Sequence, residues 1–115
     1  MKTSTAVPFV NFKHFSEMCG DDAETMFEIK TEICKEIPIE TEKLKRASSQ
    51  NDWEEVFQIA HKLKMTFSFL GNTELDKLIK LTEFSARHKI DVNEIPSLIN
   101  QIMQIVQSVM MELKN

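Results

Sequence analysis

The C-terminal segment IPSLINQIMQIVQSVMMELKN constrains the fold more tightly than any other stretch. Its apolar residues Ile95, Leu98, Ile99, Ile102, Met103, Val106, Val109, Met110 and Leu113 recur at three- and four-residue spacing. At about 100° per residue they line one side of a helix as a continuous stripe. A stripe of this length is core, and it must be buried against other elements of the same chain. The rest of the sequence offers helices for that purpose. Only two glycines and three prolines punctuate 115 residues, too few turn residues for a many-stranded sheet.

The remaining segments follow from start and stop signals. Asp21 with Glu24 has capping-box spacing and opens a helix that runs to about residue 49, with Pro38 inside it as an expected kink. Asn51 with Glu54 repeats that logic for a helix over 52–70. Gly71 ends this helix by accepting the left-handed conformation. Thr73 with Asp76 starts a helix to about His88, and Asp91 or Asn93 starts the last one. NFKHFSEMC reads as a short extra helix that contributes Phe12 and Phe15 to one end of the core. Short links make consecutive helices antiparallel. The expected architecture is all-α: an antiparallel up-and-down four-helix bundle over 20–115, with residues 1–19 as an N-terminal extension. At 115 residues and 42% apolar composition the chain makes a single domain.

Other classes are excluded on elementary grounds. No apolar run approaches the roughly 20 residues needed to cross a bilayer. The start MKTSTAVPFVNF, broken by Pro8, is a poor signal peptide. A cytoplasmic protein without direct membrane contact is expected, with Cys19 and Cys34 reduced and buried. The net charge of −4 argues against nucleic-acid binding. Charge is nevertheless unevenly placed. Residues 61–89 hold six basic and three acidic side chains, a net of +3, against −7 elsewhere. A basic segment on an acidic chain suits an anionic group docking there.

Within that segment, AHKLKMTFSFLG (60–71) carries the chemistry. Val56, Ile59, Ala60, Leu63, Phe67 and Leu70 share one narrow sector of the helix, and His61 lies roughly 150° from its centre. His61 therefore faces water. Glu54, Gln58, Met65 and Ser68 share its side, with Lys64 and Phe57 on the flank. No second ligand stands at metal-binding spacing, so a metal site is set aside. His14 and His88 read as ordinary core or surface residues. On the next helix Leu75, Leu78, Ile79, Thr82 and Ala86 form a core sector, while Asp76, Lys80, Glu83 and Arg87 form a charged stripe. A carboxylate of that stripe bordering His61 would accept a hydrogen bond from Nδ1–H and leave Nε2 a free nucleophile, competent to accept a phosphoryl group. The competing interpretation is a solvated helix face laced with ion pairs.

Ala60, His61, Leu63, Lys64, Thr66, Leu70 and Gly71 match a pattern that resembles the signature of histidine phosphotransfer domains, roughly A-H-x-L-K-G-[ST]-x-x-x-L-G. NDWEEV looks like the family's Asp-Trp lead-in, GDDAETMFEI like its early helix start, and the helix around Glu83 like its partner helix. The resemblance covers nearly the whole chain from residue 20. It implies a phosphocarrier that relays a phosphoryl group between receiver-domain aspartates and has no autonomous kinase activity. His61 would be the phosphoacceptor, Lys64 would stabilise the phosphoryl group, and Glu83 would orient the imidazole. Phe57, Gln58, Lys62, Met65, Ser68, Lys80 and Arg87 would form the docking surface. The implied partners are response-regulator receiver domains and a hybrid sensor histidine kinase. The receiver would supply Mg²⁺, with no cofactor on this chain, and a monomer is expected. One position departs from the pattern: Met65 stands where the family has glycine or another small residue. The alternative is a binding module that docks or sequesters a receiver without being phosphorylated. An autonomous kinase would need a glycine-rich nucleotide loop that this chain lacks. A homodimer through the methionine-rich last helix is a further possibility, distinguishable by sedimentation.

Overall fold

The computed structural model describes residues 7–114. Residues 1–6 of the expected N-terminal extension, and Asn115, lie outside the described residues. Every regular element among those described is helical: α1 (Phe12–Met18), α2 (Ala23–Ser49), α3 (Trp53–Ser68), α4 (Thr73–His88) and α5 (Ile95–Lys114), with a 3₁₀ turn over Val92–Glu94 before α5. The chain is all-α, as its punctuation predicts. No helix is long and apolar enough to cross a membrane among the described residues.

The caps show how neighbouring helices share a junction. Three helices use a cap one residue away from the expected one: Asp22 takes Thr25 N, Asp52 takes Glu55 N, and Asn72 takes Leu75 N. Asn51 cannot cap α3 because it is occupied in ending α2. It adopts a left-handed conformation (φ 55°), with its N–H on Ser48 O and the Asp52 N–H on Ala47 O. These are the two bonds of a Schellman closure. Asp21 is likewise left-handed, at φ 56°, and passes the capping role to Asp22. An N-cap needs an extended backbone, so one residue cannot do both jobs. Pro38 does not end α2, although its missing N–H removes one bond from the ladder.

Each long helix buries one stripe. Val56, Ile59, Ala60, Leu63 and Phe67 of α3 meet Leu75, Leu78, Ile79 and Ala86 of α4. Ile95, Ile99, Ile102, Val106, Val109 and Leu113 bring α5 into the same core, while Leu98, Met103 and Met110 pack at its edge. Contacts run from α2 to α3, α3 to α4, α4 to α5 and back from α5 to α2, with the α3–α4 seam the most extensive. Burying such side chains supplies about 1.5–3 kcal/mol each in gross terms, before entropy is counted. Both cysteines are free; Cys19 is buried and Cys34 only half-buried, against the expectation that both are buried. Burial raises the Cys19 thiol above its ordinary value.

α1 and the irregular residues before it tie the ends of three helices together. Asn11 N donates to Leu70 O (2.8 Å), and His14 Nε2 donates to Ser68 O (2.8 Å), at the end of α3. Asn72 Nδ2 donates to Phe9 O at the start of α4, and the Glu112 carboxylate on α5 accepts from Phe9 N and Val10 N. Phe15 is fully buried by this arrangement. Phe12, expected to join it, stays 40% exposed at the edge. It points to a shallow groove shared with Met26, Phe27 and Lys30.

Gly71 sits at the centre of this junction with φ 64°, and a Cβ there would lie 2.9 Å from Asn11 Cβ and 3.0 Å from the His14 ring. Gly20 has a similar φ of 69° but open space around it. Both glycine-to-alanine changes incur the left-handed cost of about 1–2 kcal/mol. Gly71→Ala must also displace α1. Chemical denaturation is therefore expected to show Gly71→Ala more destabilised than Gly20→Ala by at least about 1 kcal/mol. Equal losses at the two sites would contradict the close approach.

Candidate functional site

The α3–α4 seam determines which polar groups can meet. With the apolar sector of each helix turned inward, the flank of α3 carrying His61 and Lys64 faces the flank of α4 carrying Glu83. Glu83 Oε2 lies 2.6 Å from His61 Nδ1, and Oε1 lies 2.8 Å from Lys64 Nζ. Both oxygens of one carboxylate are thus held by two residues three apart on a single helix. The Glu83 side chain is 14% exposed, Lys64 36% and His61 61%. The acid is recessed and the imidazole stands out in solvent.

Burial pushes the Glu83 carboxyl up. The hydrogen bonds from Lys64 and His61 and their charges push it down further, and it ends below its ordinary range. An ionised carboxylate only accepts hydrogen bonds. His61 Nδ1 therefore donates to it, and in a neutral ring Nε2 is the nitrogen that holds the lone pair. A neutral ring held in this way would present one nitrogen lone pair without the help of a separate base.

The expected docking residues separate into those around His61 and those that are elsewhere. Phe57 is half-buried, its ring centroid 5.9 Å from that of His61, and Arg87 of α4 lies over the same ring at 5.6 Å. This Arg87–Phe57–His61 run was not visible in the separate helix wheels. Met65 is 70% exposed one turn beyond His61. Gln58 is exposed and donates to Glu54 (3.1 Å). Lys62 leans the other way, toward α2, and pairs with Glu40 (3.3 Å). On the same seam, the Thr66 hydroxyl donates to Glu36. Ser68 is half-buried at the end of α3, where its hydroxyl donates to Met65 O and its carbonyl takes His14.

Lys80 is exposed on α4 and lines an open groove of about 600 Å³ with Thr73, Asp76, Lys77, Leu81 and Phe84. Burial raises the Asp76 carboxyl against the opposing charges of Lys80 and His14. Leu81 and Phe84 are exposed apolar residues outside the docking surface expected from the sequence. The available signal was that both fall outside the core sector of α4. His88 rests against the Phe84 ring at 4.5 Å.

No family model, curated protein or solved structure matches this chain. The site must be judged on its own geometry. Among the described residues no group of three or more His, Cys, Asp or Glu side chains is arranged to hold a metal ion.

The lowered Glu83 carboxyl fixes a pH signature. A group whose folded value lies below its unfolded one stabilises the fold above the unfolded value, and that contribution fades as pH falls through the folded value. Glu83→Gln is expected to lose about 1 kcal/mol of stability at neutral pH. The gap should narrow once pH drops below about 4.3, the ordinary glutamate value. Paired urea melts across this range check it, and a gap unchanged down to full protonation would contradict the bonded carboxylate.

Proposed function

We propose that this chain is a histidine phosphotransfer protein of a two-component phosphorelay, in which His61 carries the phosphoryl group between aspartates of receiver domains. Its architecture on this reading is an antiparallel up-and-down four-helix bundle of α2–α5 with α1 as an addition, supported by the closed ring of helix contacts and the short links. The observation that carries the proposal is the exposed His61 ring, pinned through Nδ1 by a recessed Glu83. The signature-like residues around it and the locally basic segment add to this.

The chemistry is a displacement at phosphorus. The Nε2 lone pair forms the N–P bond, the acyl phosphate P–O bond breaks, and its electron pair returns to the receiver's aspartate. The proton on Nδ1 stays in place. The imidazole becomes positively charged as the bond forms, and the Glu83 carboxylate stabilises that charge through a short hydrogen bond. Reversal at a second receiver restores the neutral ring. A receiver's Mg²⁺, bound among its own carboxylates, would neutralise charge on the moving phosphoryl group. Phe57 and Met65, on either side of His61 along α3, with Arg87 over the Phe57 ring, give an apolar rim with a cationic edge, suited to the acidic surroundings of a receiver aspartate. The chain is then a carrier of the cytoplasm with no kinase cycle of its own.

Met65 favours a second reading. A flexible apolar side chain so exposed beside the imidazole suits a module that docks a receiver and is never phosphorylated. Incubation with phosphorylated receiver domains and Mg²⁺ separates the two. The relay predicts an acid-labile, base-stable label on wild type and none on His61→Gln, with receiver binding retained by the variant. Binding by wild type without any label would leave only the docking module. Met65→Gly is expected to speed labelling several-fold if Met65 obstructs approach, and to weaken receiver binding if it forms part of the contact.

A further inference from the structure

We infer that Lys64 is a positioning residue, acting on His61 through Glu83, rather than a ligand of the phosphoryl group. The inference rests on His61 being the acceptor, and it changes what the second cation of the site does.

The geometry separates two roles that the sequence leaves merged. Lys64 Nζ is 2.8 Å from Glu83 Oε1, and the other oxygen of that carboxylate is 2.6 Å from His61 Nδ1. The ammonium therefore lies on the Nδ1 side of the imidazole, while a phosphoryl group would be carried at Nε2. To reach that group, Lys64 would have to leave Glu83. The departure would strip one of two bonds from a carboxylate that is 14% exposed, and a recessed charge that loses a partner is costly.

Staying has a clear effect. A glutamate side chain at a helix flank has several rotamers, and a single bond to a mobile imidazole does not select one. Two bonds to residues one turn apart on α3 hold both the position and the plane of the carboxylate. Oε2 is then presented to Nδ1 whatever His61 is carrying. Lys64 thereby favours the tautomer protonated at Nδ1 and keeps Nε2 free, as an outer partner orients a histidine ligand in a metal site. Arg87, over the Phe57 ring, is a cation of the site not committed to Glu83.

The test reads the tautomer directly. Long-range ¹H–¹⁵N spectra of the His61 ring are recorded at alkaline pH on full-length wild type, Lys64→Met, Lys64→Arg and Glu83→Ala, with circular dichroism confirming that each is folded. Wild type should be protonated at Nδ1. Lys64→Met should shift toward the mixture of free imidazole. Lys64→Arg, which can still donate to Glu83, should restore the wild-type spectrum. Transfer rates complete the cycle: Lys64→Met should slow labelling about tenfold, with no further loss when added to Glu83→Ala. A wild-type tautomer in Lys64→Met would overturn the inference. So would an equal tenfold loss in the Glu83→Ala background. Absence of label on every protein would refute the relay instead, while the tautomer spectra would still decide whether Lys64 positions the ring.

Discussion

The pairing of the apolar faces of α3 and α4 governs the rest of the site. Once the buried faces of α3 (Leu63 and Phe67 among them) and α4 (Leu75, Ile79 and Ala86 among them) are packed together, rotation of either helix would carry apolar side chains into water. Each such side chain is worth a kilocalorie or more, whereas an exposed ion pair is worth less than about 1 kcal/mol. The seam therefore sets the helix rotation, and the polar contacts adapt to it. Glu83 meets His61 and Lys64 because the core leaves it at the flank, with both oxygens within reach of α3.

That hierarchy accounts for an exposed histidine with a defined orientation. A histidine on a helix surface ordinarily samples several rotamers and both neutral tautomers. Here the ring protrudes and the acid that holds it is recessed, so orientation comes from the buried side and access from the open side. The α1 segment contributes indirectly. By binding the carbonyls of Ser68 and Leu70 it closes the end of α3 against the start of α4, around a glycine that leaves no room for a side chain.

Much of this is legible in the sequence where one helix decides the outcome. The apolar sectors of α3, α4 and α5, and the outward direction of His61, follow from periodicity alone. Features that depend on two elements at once are harder to read. The caps of α2 and α3 each move by one residue because Asp21 and Asn51 are used in left-handed turns, a competition invisible when each helix is read separately. A helix wheel gives the direction of Lys62 and Lys64 but not their partners. Packing sends Lys62 to Glu40 on α2 and Lys64 to Glu83 on α4. Phe12 and Phe15 look equivalent in sequence, and only the packing of α1 leaves the first exposed and the second buried.

The central claim is that Glu83 holds the proton at Nδ1 so that chemistry occurs at the other ring nitrogen. The most direct measurement is the position of the phosphate on His61 after transfer from a phosphorylated receiver domain, read from ¹⁵N–³¹P couplings in the labelled protein. The proposed relay predicts phosphate on Nε2, with Nδ1 still protonated and bonded to Glu83. Phosphate on Nδ1, or on any residue other than His61, would contradict it.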